Sequence, residues 1–270
     1  LGRGSAPNWR VCLNMNNRLD GKVALVTGAL GGFGRAITRK FVSDGTKVVA
    51  VDVTDDGAES LQDEFGDSVK FLQGDHCVRA HNEAAVALAL DTWGKLDILV
   101  NNAGIGRTAA FSEVDDELFR EVIDVNLMGQ FRLTQAALPA MLDGLDSQPL
   151  SRSIVFLSSG LGLYGVARSA PYAVSKHGVN GLMRSLAAEY GPRGLRINSI
   201  CPGIADTALG RMTTAWADSP EEVFESLRQA TQLRRLIEPE DIANASAFLV
   251  SDDARMIHSV ALRVDGGAHV

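Results

Sequence analysis

The sequence predicts an α/β fold: a single doubly wound domain, a parallel sheet of about seven strands with helices on both faces. Three observations carry this. Short β-branched apolar runs alternate with longer segments of helical character. Most of those runs are apolar throughout, as in strands buried on both faces. The first run leads directly into a glycine-rich turn. Strand and helix alternating in this way build βαβ units.

In chain order, strands are expected at 23–26, 48–51, 69–72, 98–100, 154–157, 197–200 and 260–264. Helices are expected at 34–44, 80–92, 116–142, 172–190 and 239–249. No linker, low-complexity tract or short repeat interrupts residues 20–270. One stretch breaks the rhythm, 205–232, with Met212, Trp216, Phe224 and Leu227 among polar residues. Loops at the carboxyl ends of strands form the ligand crevice of such sheets. The insert is therefore expected to be a helical flap over a substrate. Residues 1–19 carry Arg3, Arg10 and Arg18 and no acid, and begin with Leu1. They are expected to be an extension outside the fold, whether tag, leader or disordered segment.

After the first strand stands Thr27-Gly28-Ala29-Leu30-Gly31-Gly32-Phe33-Gly34. A glycine turn from strand to helix lets backbone amides approach a pyrophosphate at the positive end of the helix. Gly28 would permit the turn, Gly32 a close approach and Gly34 helix packing on the strand. No GxxxxGK[ST] is present, which argues against a triphosphate loop. The second strand ends at Asp52, 18 residues after Gly34. An acid there accepts from ribose hydroxyls and repels a 2′-phosphate. Val53 and Thr54 follow it and Gly31 is within the loop, so no basic side chain is offered at these places. NAD is expected over NADP.

Ser158-Ser159 closes the strand at 154–157, and Tyr172-Ala173-Val174-Ser175-Lys176 opens the next helix. Tyr172 and Lys176, four apart, share a helix face. An ammonium about 4 Å from the phenol is worth roughly 4 kcal/mol at a dielectric of about 20. That corresponds to roughly three pKa units, enough to bring a tyrosine toward neutrality. His177, adjacent in sequence, should point away from that face.

Composition narrows the function classes. Lys plus Arg is 26 and Asp plus Glu is 33, a net charge of −7, the wrong sign for a nucleic-acid backbone. Cys12, Cys77 and Cys201 form no pattern, which suggests a reducing, cytoplasmic setting without a disulfide framework. No apolar run is long enough to span a membrane. No His, Cys or carboxylate spacing points to a metal.

Taken in order, Thr27-Gly28 through Gly34, Asp75, Asn101-Asn102-Ala103-Gly104, Asn126, Ser159, Tyr172, Lys176, Pro202-Gly203 and the ending Val264-Asp265-Gly266-Gly267 resemble the short-chain dehydrogenase/reductase family. Ser159 and Tyr172 stand 13 residues apart, as is usual there. The resemblance covers about Leu19 to the C-terminus and implies a Rossmann domain. It implies that Tyr172 is the general acid/base and that Ser159 holds the substrate oxygen. Lys176 would lower the tyrosine pKa and bind the nicotinamide ribose. Asn126 would anchor a water that relays protons. Asn102, Ala103 and Gly104 would line the adenosine side, Asp75 the adenine, with the His76 backbone nearby. Pro202, Gly203, Ile204 and Thr207 would border the nicotinamide and pyrophosphate. His76 and His258 depart from the family's common residues at their places.

The leading expectation is an NAD-dependent oxidoreductase acting on a secondary alcohol or ketone. Gly160, Leu161, Tyr164, Val166, Ala205, Met212 and Trp216, with Leu163, would form an apolar wall suited to a cyclic or aromatic substrate. The alternatives are an NADPH-dependent 3-ketoacyl (acyl-carrier-protein) reductase and a dinucleotide-sensing non-enzyme. Arg193 and Arg196 would supply a docking surface for the reductase, although 139–146 is acidic. The family also implies a homotetramer or homodimer.

Overall fold

The computed structural model describes residues 18–268, apart from 215, 216 and 218. Seven parallel strands form one sheet: β1 (Val23–Thr27), β2 (Lys47–Asp52), β3 (Val69–Gln73), β4 (Ile98–Asn101), β5 (Ser153–Leu157), β6 (Arg196–Pro202) and β7 (Ala261–Val264). Their spatial order is β3-β2-β1-β4-β5-β6-β7. Each strand expected from the sequence is present.

The pleat sorts the side chains onto two faces. Ala24, Val26, Val48 and Ala50 pack with Ile37 and Phe41 of α1 (Gly32–Ser43) and with Ile242 and Ala247 of α9 (Pro239–Val250). Val23, Leu25 and Val49 pack on the other face. Their partners are Ala85 and Ala89 of α3 (Arg79–Trp93), Leu133 and Met141 of α5 (Gln130–Leu142), and Val179 and Met183 of α6 (Ala170–Tyr190). Burying each large aliphatic or aromatic side chain stabilises the fold by about 1.5–3 kcal/mol.

Three features differ from the sequence expectation. A short helix, α2 (Ala58–Phe65), lies between β2 and β3. The segment 116–142 is helical throughout, as expected, but a π-helical turn (Asp124–Gly129) is set into it between α4 (Asp116–Ile123) and α5. Leu19, assigned to the extension, has no exposed surface, and its amide donates to the Asp44 carbonyl at 3.1 Å. The packed chain therefore includes Leu19, while residues 1–17 of the extension lie outside the described residues. The insert 205–232, expected to be helical, contains two helices, α7 (Ala208–Thr214) and α8 (Pro220–Ala230).

The strand order reverses between β1 and β4. A crevice forms outside the carboxyl ends of strands at such a switch point, and Thr27 and Asn101 end the two strands there.

Candidate active site

The crevice is a cleft of about 910 Å³, within the range of small-molecule sites. Its floor at one end is the glycine turn. Gly28 has φ +61°, and a Cβ there would meet Ala103 Cα and Asn102 Nδ2 at 3.0 Å. The Asn102 amide group donates to the Thr27 carbonyl at 2.8 Å and the Gly28 carbonyl at 3.1 Å. The Thr27 hydroxyl accepts from the amides of Asn102 and Ala103, both at 3.1 Å. Asn102 thus stitches the end of β4 to the turn. A Cβ on Gly34 would overlap the Gly28 carbonyl, so Gly34 sits under the turn without lining the cleft. Gly31, Gly32 and Phe33 do line it. No side chain caps α1 and no acid stands in its first turn, so its first amides are left for an anion. The donor set fits a dinucleotide pyrophosphate.

Asp52 lines the same end with Val53, Asp75, His76, Ala103 and Gly104. Its carboxylate accepts from the Leu30 amide at 2.9 Å and the Thr54 amide at 3.4 Å. It therefore also ties β2 to the glycine turn, a role its position in the sequence did not reveal. Asp75 accepts from the Cys77 amide at 2.8 Å. Pro202, Gly203, Ile204 and Thr207 also line the cleft. A Cβ on Gly32 would stand 3.0 Å from Thr207 Cγ2, so Thr207 lies close against the glycine turn.

Ser159 follows β5, and Tyr172 and Lys176 project from α6; all three line the cleft. Ser159 hydrogen-bonds the Tyr172 phenol. Lys176 is almost fully buried, and its Nζ donates to the Leu157 carbonyl at 2.8 Å. The Ser158 hydroxyl donates to the Lys176 carbonyl at 3.0 Å, fixing α6 against β5. Asn126 has no exposed surface and does not line the cleft. Its Oδ1 accepts from the Ile105 amide at 2.8 Å, and its Nδ2 donates to the Ile105 carbonyl at 3.0 Å and to Ser175 Oγ at 3.2 Å. Ser175 in turn donates to the Tyr172 carbonyl at 2.7 Å. Asn126 is thereby linked to the helix that carries Tyr172 and Lys176.

The expected electrostatics are corrected. Burial pushes the Tyr172 phenol up to about 12, against a smaller downward pull from Ser159. Burial also brings Lys176 down to about 8. The lysine Nζ stands 5.6 Å from the tyrosine ring centroid and is committed to the Leu157 carbonyl. Desolvation outweighs the charge effect that the spacing suggested.

Leu161, Tyr164, Val166, Ala205 and Met212, expected on the substrate side, line the cleft. Gly160 lies beneath Tyr164, where a Cβ would overlap the phenol. Leu163 stands outside the lining. Trp216 lies outside the described residues. Sequence reading missed Ile105, Arg107, Leu209 and Thr213, which also line the cleft; Ile105 and Arg107 were signalled by their place just after Asn101-Asn102-Ala103-Gly104. His177 is exposed and its ring contacts the Ala173 carbonyl, away from the site. Arg196 is no docking residue. It is 1% exposed and donates to the carbonyls of Leu249, Val250, Ser251 and Ala254. Arg193 is paired with Asp146 at 3.1 Å. Among the described residues no group of three or more His, Cys, Asp or Glu could hold a metal, and no helix is long and apolar enough to cross a membrane.

A family model described as Enoyl-(Acyl carrier protein) reductase matches residues 28–269. The chain belongs to the short-chain dehydrogenase/reductase family. This short-chain dehydrogenase/reductase is 37% identical over 254 residues to D-threitol dehydrogenase of Mycolicibacterium smegmatis, covering 93% of this chain and 94% of that protein. It is similar to the crystal structure of carveol dehydrogenase from Mycobacterium avium in complex with NAD, with a TM-score of 0.86 and 29% identity, covering 93% of this chain and 99% of that one. It is also similar to 3-ketoacyl-(acyl-carrier-protein) reductase from Brucella melitensis complexed with NADH, with a TM-score of 0.85 and 35% identity, covering 93% of this chain and 100% of that one. The short-chain dehydrogenase/reductase is thus an oxidoreductase with a nicotinamide cofactor.

Proposed function

We propose that the protein is an NAD-dependent oxidoreductase that interconverts a secondary alcohol and the matching ketone. The observation that carries this reading is the meeting of Ser159, Tyr172 and Lys176 in one cleft whose far end holds Asp52. Ser159 holds the substrate oxygen, and Tyr172 exchanges the proton with it. Lys176 binds the nicotinamide ribose, and Asn126 anchors the water that relays protons to it. The nicotinamide, when bound, gives or takes the hydride. Leu161, Tyr164, Val166 and Met212 favour a cyclic or aromatic substrate over a polyhydroxylated one.

NAD is favoured over NADP by charge. Asp52 and Asp56 both line the adenosine end, where a 2′-phosphate would meet negative charge. Arg35, nearby on α1, is occupied by the Gly57 carbonyl and the Ser60 hydroxyl at 3.2 Å each. The chain from Leu19 onward acts as one catalytic domain, assembled as a homodimer or homotetramer and working in the cytoplasm.

A second reading is a 3-ketoacyl (acyl-carrier-protein) reductase using NADPH; the likeness to the Brucella enzyme favours its substrate class, while that enzyme's complex with NADH does not favour NADPH. The burial of Arg196 weakens it by removing half of the expected docking surface. The deciding experiment is thermal shift with NAD, NADH, NADP and NADPH over one concentration range. Larger shifts with NAD and NADH, followed by NADH formation from secondary alcohols, support the first reading. Larger shifts with NADPH favour the second.

A further inference from the structure

The π-helical turn 124–129 is pinned from two sides. On one side, Asn126 exchanges two hydrogen bonds with the Ile105 backbone, at 2.8 and 3.0 Å. On the other stands the loop after β3. There the buried His76 ring places Nε2 at 2.9 Å from the carbonyl of Val125, the residue before Asn126. Only an Nε2–H tautomer satisfies that carbonyl. The next residue, Cys77, donates from Sγ to the Asp124 carbonyl at 3.7 Å. Two successive side chains of one loop therefore contact two successive carbonyls of the π turn. The approach depends on Gly129, because a Cβ there would overlap the His76 ring. The loop is held in its own right: Asn82 donates to the His76 carbonyl at 2.8 Å, and the Asp75 amide donates to His81 Nδ1 at 3.0 Å.

A π turn widens the helix and removes backbone groups from the regular ladder, so its shape must be fixed by outside partners. We propose that His76 is a positioning residue, whose bond to the Val125 carbonyl holds the π turn in the shape that aims Asn126 at Ile105 and Ser175. This rests on the reading of Asn126 as part of the proton relay. It assigns His76 a side-chain role beyond the backbone contact near the adenine expected from sequence. It also joins the loop at the adenosine end of the cleft to the residue that supports the catalytic helix.

The brace is not a pH switch. Burial holds His76 below its ordinary pKa, while Asp75 and Asp124 pull upward and Lys176 downward. The neutral Nε2–H tautomer and the imidazolium both donate to Val125, so the bond persists in either state.

The test compares wild type with His76→Leu, which removes the donor, and His76→Gln, which restores one on a side chain of similar length. The first readout is amide deuterium exchange of residues 121–131 with NADH present. Exchange should quicken about tenfold in His76→Leu, as expected when a buried carbonyl loses its partner, and return toward wild type in His76→Gln. The second readout is the pH profile of kcat for cyclohexanol with NAD. In His76→Leu, kcat should fall about tenfold with KM changed less than about threefold, and its pH midpoint should move, with recovery in His76→Gln. Unchanged exchange in His76→Leu overturns the proposal, whatever the substrate. So does equal impairment by Leu and Gln, which would mean that the ring only fills space. Full turnover by Tyr172→Phe would instead overturn the functional reading, leaving the exchange result to judge His76.

Discussion

Lys176 reaches from α6 to donate to the carbonyl of Leu157 at the end of β5, at 2.8 Å. Ser159 stands two residues beyond that carbonyl, so one hydrogen bond sets the position of the ammonium relative to the hydroxyl. The bond also has a thermodynamic signature. A lysine held at about 8 binds fewer protons folded than unfolded up to its ordinary 10.5. Stability contributed at this site therefore rises with pH through that window, and below about 8 the full penalty of burying the ammonium is present. The Tyr172 shift acts oppositely, but only above about 10. Lys176→Met should thus gain on wild type in melting temperature at pH 7 and lose that advantage between pH 8 and 10. A pH series of melting curves checks this; parallel curves would show that the ammonium is not desolvated.

Tyr172→Phe should lower turnover by about 100- to 10,000-fold, the usual worth of a general acid/base, while NADH affinity stays near wild type. A phenol held near 12 is protonated at neutral pH. Wild-type ketone reduction should therefore decline as pH rises, and alcohol oxidation should increase. Steady-state rates from pH 6 to 10 check the direction.

Asp52→Ala should narrow the preference for NAD over NADP and also loosen the glycine turn. The Leu30 amide loses its 2.9 Å acceptor, which costs about 1–3 kcal/mol if no water replaces it. Titration with NAD and NADP measures the first effect and urea unfolding the second. An unchanged cofactor ratio would mean that the ribose lies elsewhere.

Arg196→Met should destabilise the protein by at least about 3 kcal/mol, because carbonyls at the end of α9 and just beyond it lose a common donor together. Arg196→Lys should recover only part of this, since one ammonium cannot reproduce the planar fork. Urea midpoints at constant m-value provide the measurement.

What the sequence made legible follows from how local each signal is. Strand runs such as Val48–Val51 lie on a sheet covered on both faces, so burial is written into consecutive residues. The glycine turn and the Tyr172–Lys176 pair are contiguous or one helical turn apart. The π turn within 116–142 is different: the segment is one helical run, and its widened turn is held by His76 and Ile105, both distant in sequence. The Tyr172 and Lys176 pKa directions escaped for a related reason, since desolvation depends on the whole fold around the pair. Arg196 looked like a surface charge because carbonyl acceptors leave no trace in side-chain identity. Leu19 likewise carried no local sign that Asp44 would take its amide.

The strand order has a consequence for how the chain is born. β1, synthesised first, ends up inside the sheet, with β2 and then β3 added on one flank and β4 through β7 in turn on the other. Each strand emerging from the ribosome finds the edge it will occupy already made. No early strand waits, exposed, for a partner near the C-terminus. Vectorial synthesis and outward growth of the sheet thus run in the same direction, which limits the time that long parallel pairings leave unprotected edges.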